Sequence, residues 1–230
     1  MQGESRNAKL FGTCNSSFAS HVALQTLSGG REMRYDSRME PDLERIAEYY
    51  RGILKEIGAD LDAEGLRETP NRAAKAIVEM TEGSRMGVEQ LTKMFKAECR
   101  TAVCHDMVIV EGIKEVGLCE HHLLPILLTI TIAYIPDKKI LGLSKLSRIA
   151  GFFSRRLQNQ ERTAHSIAEF IEKIVEPLGV AVVIDGKHLC AMGRGVRDTH
   201  SVMKVNVMHG VFQRDQNMRS EFLARLTRPG

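Results

Sequence analysis

Residues 123–135 read LLPILLTITIAYI, and this stretch decides the fold that the sequence predicts. It is rich in Ile and Thr, which favour a β-strand, and the turn-forming pair Pro136-Asp137 ends it. Three shorter runs of the same type lie at 107–110, 180–184 and 203–207. Because strands in pairs joined by hairpin-like turns form antiparallel sheets, we expect one antiparallel sheet.

Two helical patterns lie between the second and third predicted strands. The first covers about 144–157, and the second begins near Glu161 and ends at Pro177 and Gly179. A further helix near the C-terminus includes residues 222–226. This order of elements predicts an α+β fold in which helices pack on one face of the antiparallel sheet.

The sequence before the first strand divides into an extension and a helical part. Residues 1–40 show no clear period and are predicted to be a flexible N-terminal extension, although an organelle transit peptide is the alternative for 1–30. Residues 41–230 are predicted to form one domain, with a helical N-terminal part at 41–104 and a β-β-α-α-β-β core with a C-terminal helix at 105–230.

Periodicity places the helices of this N-terminal part. Apolar residues recur at helical spacing from Leu43 to Ile57, and Gly58 follows in the usual position for a helix stop. A second helix is expected after Thr69-Pro70, and a short one over Val88–Phe95.

Composition and charge exclude several classes of protein. The chain has 230 residues and a net charge of +3, which is too mild to indicate nucleic acid or a membrane surface as a partner. No apolar run approaches the roughly 18 to 20 residues of a spanning helix. The first residues lack a basic n-region followed by an apolar h-region, so we do not expect secretion. Five cysteines in such a chain indicate reduced thiols, and we expect a cytoplasmic protein.

The densest cluster of metal-capable side chains is Cys119-Glu-His-His122, and its partner is His188-Leu-Cys190. Thiolate and imidazole are preferred ligands of zinc, and one tight turn can bring Cys119 and His122 to the same ion. With Cys190 as a third ligand, the fourth position would hold water, and His121 and His188 would remain for acid–base work. The alternatives are a closed structural zinc site and ordinary buried Cys and His.

A second group of residues could bind an anion. Ser144 stands where a helix should begin, Lys145 and Arg148 follow on that helix, and Arg194 comes soon after the second metal segment. Free N–H groups and cations at a helix start favour a polyphosphate, but taken alone the pattern is better explained by a solvated basic face with Ser144 as a plain N-cap. Glu161 could complement a helix dipole or accept hydrogen bonds from guanine.

Together these strings resemble the GTP cyclohydrolase I family over roughly residues 42–228. The elements that carry the resemblance are Gly65-Leu66-x-x-Thr69-Pro70-x-Arg72, Cys119-Glu-His-His122, Gly142-Leu-Ser-Lys145 with Arg148, Gln158-x-Gln-Glu-Arg162, His188-x-Cys190 and Arg194-Gly195. Any one of them alone would be a weak signal, but several in the right order are specific.

The resemblance implies a tunnelling fold and a toroidal homo-oligomer, typically a decamer, with active sites at subunit interfaces. It also implies conversion of GTP and water to 7,8-dihydroneopterin triphosphate and formate, a first step toward folate or tetrahydrobiopterin. For residues of this chain, it implies zinc ligation by Cys119, His122 and Cys190 and catalysis by His121 and His188. It implies guanine binding by Glu161 with Gln160. The residues implied to bind the ribose and triphosphate are Ser144, Lys145, Arg148, Arg194 and, further out, Arg72.

The chain also departs from the family pattern. Leu128-Thr129 stands where a Gly-Lys pair is usual, and Gly117 stands where Ser or Thr is common. Met203 and Val205 replace residues that are usually Thr, and His209 replaces a small or apolar residue. These departures leave two alternatives open, a non-catalytic or regulatory relative and a related tunnelling-fold enzyme that acts on another purine or pterin.

Overall fold

The computed structural model of the chain describes residues 39–88, 91 and 106–226. Residues 1–38 of the extension predicted for 1–40, and most of the short helix predicted from Val88 to Phe95, lie outside the described residues. Helices and strands are numbered in chain order within these described residues.

Three helices open the described chain: α1 (Leu43–Glu56), α2 (Glu64–Arg67) and α3 (Thr69–Met80), followed by a 3₁₀ turn at Glu82–Ser84. Asp42 caps α1 by accepting a hydrogen bond from the backbone N–H of Arg45. Gly58 adopts a φ of 77°, a left-handed conformation that suits glycine and ends the helix as its position predicts.

The sheet has five strands, β1 (Val108–Cys119), β2 (Pro125–Ile135), β3 (Leu157–Gln158), β4 (Gly179–His188) and β5 (Met203–Gly210). Their order is β3-β1-β2-β4-β5. The pairs β1/β2, β2/β4 and β4/β5 are antiparallel, and only the two-residue β3 runs parallel to its neighbour β1. The antiparallel sheet of an α+β fold is therefore confirmed.

Strand β1 is much longer than the run 107–110 predicts. The register between β1 and β2 shifts between Val110 and Ile113, and Gly112 at this bulge has a φ of 72°. Because a bulge breaks the two-residue alternation of side chains, the second half of the strand carries no simple strand signal. The missed half leads directly into the Cys119 motif.

The central helices cover one face of the sheet. Helix α4 (Leu143–Ser154) packs against β1, and α5 (Gln160–Val175) packs against β4 and β5. The core between them is apolar and close to fully buried, with Ile130, Ile132, Leu146, Ile149, Ile167, Ile171, Val182 and Ile184 each at 0% exposure. Burial of these side chains is the main stabilising term for the layer.

The C-terminal helices lie elsewhere. One-turn helix α6 (Leu189–Met192) follows β4, and α7 (Val211–Arg214) and α8 (Gln216–Leu226) follow β5. Phe212 and Phe222 pack with Ala133 and Ala181. The residues next to these alanines along the strands, Ile132 and Val182, face α4 and α5. Since side chains alternate between faces along a strand, α7 and α8 cover one end of the opposite face, which the one-face prediction missed.

The antiparallel register brings three strand ends together. Leu118 pairs with Pro125, and Ile126 pairs with His188, so the end of β1, the start of β2 and the end of β4 are neighbours. We call this edge the metal end of the sheet. No helix within the described ranges is long and apolar enough to cross a membrane. The cytoplasmic location stays a prediction.

Candidate metal centre and active site

A tight turn at residues 120–124, which we call the metal turn, joins β1 to β2 at the metal end. The backbone N–H of Leu123 donates to the carbonyl of Cys119 at 2.8 Å, and the N–H of Cys119 donates to the carbonyl of Leu124 at 2.9 Å. Leu123 adopts a φ of 56° to close this turn. As the C-x-x-H spacing predicts, the turn brings the Cys119 Sγ within 3.6 Å of the His122 Nδ1.

Cys190 completes a set of three possible metal ligands. It lies in α6, directly after β4, and the ligand atoms of Cys119, His122 and Cys190 all lie within 4.8 Å of one another. Tetrahedral zinc with bonds of about 2.3 Å to sulfur and about 2.1 Å to nitrogen separates a sulfur and a nitrogen ligand by about 3.6 Å. The Cys119–His122 distance of 3.6 Å matches this value, so the three residues fit such an ion.

The two thiols lie close enough to influence each other. Burial raises the pKa of the Cys190 thiol, and its hydrogen bond and repulsion with Cys119 raise it further. A bound cation would oppose this effect at Cys190, since the metal binds the thiolate form.

Glu120 connects the metal turn to helix α5 through hydrogen bonds. Its carboxylate accepts hydrogen bonds of 2.9 Å from both terminal nitrogens of Arg162, and its backbone N–H donates to the carbonyl of Gln158 at 3.1 Å. The Arg162 hydrogen bonds hold the pKa of Glu120 below its ordinary value, against the opposing effect of burial. Glu120 is therefore a charged anchor between Cys119 and His122.

His121 points into solvent beside this anchor. Its side chain is 66% exposed, its Nε2 lies 3.7 Å from a Glu120 oxygen, and its Nδ1 lies 3.8 Å from the Cys119 Sγ. An imidazole in this position is close to the ligand cluster and still accessible to a bound molecule.

His188 is the more buried of the two predicted catalytic histidines. Its Nε2 lies 2.8 Å from the Oε1 of Gln160, which is only 1% exposed. Burial lowers the pKa of His188, and the nearby charge of Glu161 opposes that effect in part. Glu161 itself is exposed on the first turn of α5, so it faces the same region as His188.

The structure therefore brings one part of the predicted site to the metal end of the sheet. This part consists of Cys119, His121, His122, Gln160, Glu161, His188 and Cys190. Arg194 follows Cys190 by four residues and is exposed in the loop after α6.

The start of α4 lies toward the opposite end of the sheet. The backbone N–H of Leu141 donates to the Tyr134 hydroxyl at 2.9 Å, which ties the start of α4 to the far end of β2. Nine residues of strand separate Tyr134 from Pro125, a span of about 30 Å. From this start α4 runs back along the sheet, and its last residue, Ser154, lies beside Gly117 at the metal end. Ser144 and Arg148 are therefore about 15 Å and about 9 Å along the helix from that end.

The α4 residues differ in accessibility. Ser144 and Arg148 are exposed, whereas Lys145 is only 8% exposed. Arg72 is exposed near the start of α3, where its guanidinium donates to the carbonyl of Gly65 and to the Thr69 hydroxyl.

The departures from the family pattern have identifiable environments. Leu128 is 2% exposed in the core, and the Thr129 hydroxyl accepts a hydrogen bond from Lys114 at 2.8 Å. Met203 is 37% exposed, but its carbonyl accepts a hydrogen bond from Gln160. The Nδ1 of His209 lies 2.9 Å from a carboxylate oxygen of Glu172, away from the metal end.

Thr129 also borders an open cavity of about 760 Å³ on the face that α4 and α5 leave uncovered. Polar groups on its lining include Lys114, Asp185 and Lys187.

Three further residues bear on the site without a prediction of their role from sequence. Arg162 belongs to the polar run at 158–162 that contributes to the family resemblance. Its partner Glu120 lies 42 positions earlier in the sequence, so no local pattern indicates the contact. Gly117 and Gly186 lie under Gln158 and Gln160, where a side chain on either glycine would collide with the glutamine. A strand glycine is the signal that could have indicated such a close approach.

Comparison with known proteins shows the family to which this sequence is similar. A sequence model of the family GTP cyclohydrolase I matches residues 46–227. A relative named GTP cyclohydrolase 1 from Pseudoalteromonas translucida is 44% identical over 76% of this chain and 93% of its own length. Relatives of the same name from Chromohalobacter salexigens and Leptospira biflexa are 42% and 47% identical, over 78% and 74% of this chain and 96% and 92% of their own lengths.

Proposed function

This chain belongs to the GTP cyclohydrolase I family and is an enzyme of that type, and we propose that a zinc ion bound by Cys119, His122 and Cys190 forms the centre of its active site. The reaction converts GTP and water to 7,8-dihydroneopterin triphosphate and formate. The observation that carries the proposal is the convergence of three ligand atoms within 4.8 Å, with two further histidines beside them.

The donor set supports zinc over the hard divalent cations. Two thiolates and one imidazole suit zinc, whereas magnesium and calcium prefer oxygen ligands. Zinc with three protein ligands would supply Lewis acidity and lower the pKa of a water at its fourth position toward about 7. His122 is exposed, which leaves that position accessible from solvent.

His121 and His188 would move the protons of the reaction. Ring opening, loss of formate and ring closure each transfer protons between nitrogen and oxygen atoms, and imidazole does this near neutral pH. The exposure of His121 supports direct contact with substrate. The contact between His188 and Gln160 supports a fixed ring orientation for the second histidine.

Glu161 would anchor the guanine base. A carboxylate can accept hydrogen bonds from two N–H groups on the edge of guanine, and Glu161 is exposed and close to His188. Gln160, which the family resemblance places beside it in the same role, is 1% exposed and already hydrogen-bonded on both sides of its amide. This burial favours Glu161 as the base-contacting member of the pair.

The triphosphate would be bound by Ser144, Lys145, Arg148 and Arg194, with Arg72 further out. Because Ser144 and Lys145 lie at the start of α4, away from the metal end, and the family resemblance implies interfacial sites, we infer that a second copy of the chain supplies the α4 residues to a shared site. Exposed leucines support this, since Leu123 in the metal turn is 52% exposed and Leu143 at the start of α4 is 68% exposed. We therefore propose a homo-oligomer with interfacial sites, a tunnelling-fold ring that is typically a decamer.

The test is a coupled measurement of product and metal. Purified protein, loaded with zinc at one ion per subunit, is incubated with GTP while pterin fluorescence and formate are recorded. We expect pterin and formate in equal amounts, and no pterin with ATP as substrate. Zinc-loaded protein that releases neither product from GTP would contradict the proposal.

A further inference from the structure

Gln160 is nearly fully buried, at 1% exposure, where α5 begins against the end of β4. Its side-chain nitrogen lies 2.9 Å from the carbonyl of Ile184 and 3.0 Å from the carbonyl of Met203. Backbone carbonyls only accept hydrogen bonds, so the NH₂ group must face them and both of its hydrogens are used. The orientation of the Gln160 amide is therefore fixed by its surroundings.

This orientation decides which nitrogen of His188 carries a proton. The remaining atom of the amide, Oε1, lies 2.8 Å from the His188 Nε2. An amide oxygen cannot donate, so the ring nitrogen must be the donor. A neutral imidazole that is protonated on Nε2 keeps its lone pair on Nδ1. Gln160 thus selects one tautomer of His188.

Gly186 provides the room for this contact. It lies in β4 two residues before His188, opposite Met203 of β5. A Cβ atom on residue 186 would approach the Gln160 Oε1 closer than 3.0 Å, a separation that real Cβ atoms essentially never show. Any side chain here would displace the one amide atom that His188 contacts.

We propose that Gln160 and Gly186 are positioning residues that hold His188 with its proton on Nε2 and its Nδ1 as the proton acceptor of the reaction. This inference rests on the proposed function, because His188 has a part in proton transfer only there. Gln160 is then a residue that orients the second histidine, and its effect on the reaction passes through His188.

A tautomer measurement on the unsubstituted protein tests the inference without any assay of activity. The zinc-loaded protein is labelled with ¹⁵N-histidine and studied by magic-angle-spinning NMR above the ordinary titration range of histidine. The His188 signals are assigned by their loss in His188→Ala. We expect a protonated Nε2 and an unprotonated Nδ1, and the reverse assignment or an averaged mixture would overturn the proposal.

A kinetic cycle tests whether the glycine acts through the histidine. Gly186→Ala should lower kcat about tenfold to a hundredfold, as for other misoriented catalytic imidazoles, with KM for GTP and zinc content within about twofold. In a His188→Ala background, the same change should have no further effect on kcat, because residues that act as a unit are not additive. Gly52→Ala on exposed α1, where a Cβ meets no atom within 4 Å, is the matched control.

The outcomes separate this inference from the proposed function. Equal losses of kcat in both backgrounds, or no loss in Gly186→Ala, would overturn the positioning role. Wild-type protein that is inactive on GTP would instead contradict the proposed function, and the NMR measurement would still decide the tautomer.

Discussion

Arg162 donates two parallel hydrogen bonds of 2.9 Å to the carboxylate of Glu120, and this pair fastens the metal turn to helix α5. Glu120 is flanked by Cys119 and followed two residues later by His122, so any motion of its backbone moves both ligands. Bidentate Arg–carboxylate pairs add geometric precision that a lysine cannot supply, because the lysine ammonium is a single point charge.

Arg162→Lys should weaken zinc binding about tenfold to a hundredfold, the usual effect of losing a partner that orients metal ligands. Zinc affinity is measured by competition with a chromophoric chelator. Arg225→Lys is the matched control, because Arg225 pairs with Glu221 on α8 with both side chains about half exposed, and it should leave the affinity unchanged. Equal zinc affinities in the two variants would show that Arg162 does not support the metal turn.

Cys119→Ser should abolish stoichiometric zinc and pterin formation together, since the hydroxyl does not replace a thiolate ligand. Metal content is measured by mass spectrometry after gel filtration in chelator-free buffer. Cys14→Ser is the control, because residue 14 precedes the matched segment 46–227, and it should keep full zinc. Full metal content in Cys119→Ser with normal turnover would show that the ligand assignment is wrong.

His121→Ala should keep one zinc per subunit and lower kcat by about two to four orders of magnitude, the range expected for a general acid–base. The exposed ring can be removed without opening a cavity, so the melting temperature should change little. If zinc is lost together with activity, His121 is a ligand; normal turnover would exclude it from proton transfer.

The convergence at the metal end could be anticipated in part from the sequence. Cys119-Glu-His-His122 and His188-Leu-Cys190 each carry enough ligand types to indicate a metal; the first directly precedes a predicted strand, and the second follows one. That the two segments meet depends on β2 lying between β1 and β4, with Leu118 opposite Pro125 and Ile126 opposite His188. A local pattern cannot supply this register.

Other features could not be predicted from the sequence, and each has a physical reason. The bulge at Gly112 hid half of β1, because it breaks the alternation on which strand prediction depends. The contact of Arg162 with Glu120 arises because the parallel pairing of β3 with β1 brings the start of α5 beside the metal turn. The separation of Ser144 from Cys119 could not be predicted either, because it depends on how α4 lies along the sheet, with its start near Tyr134 and its end beside Gly117.

That separation gives a test of shared sites. A variant with Cys119→Ser and a second variant with Lys145→Ala and Arg148→Ala should each be inactive as pure assemblies. Co-assembled in equal amounts, they should recover about a quarter of the wild-type activity per site, because random neighbours in a symmetric ring place one intact metal end against one intact helix start in one case of four. Two affinity tags, used in sequence, isolate the mixed assemblies. Mixed assemblies without regained activity would contradict interfacial sites.

The last prediction concerns Gly117, where the family commonly has Ser or Thr. A Cβ here would come closer than 3.0 Å to the Gln158 Nε2 and to the carbonyl of Ser154. Gln158 is 4% exposed, and its side-chain oxygen accepts a hydrogen bond from the Thr163 hydroxyl. A larger residue must therefore displace a buried glutamine or shift the backbone of α4.

Gly117→Ala should lower stability by about 1 to 3 kcal/mol, the usual effect of overpacking a tight site, and the melting temperature should fall by several degrees. Gly52→Ala, an open position in the middle of α1, should instead be neutral or raise stability by about 0.5 to 1 kcal/mol. Melting is followed by differential scanning fluorimetry at one protein concentration. If Gly117→Ala melts at or above the wild-type temperature, the glycine is a tolerated difference with no packing role; if it melts lower, Gly117 and Gln158 have become a matched pair in this chain.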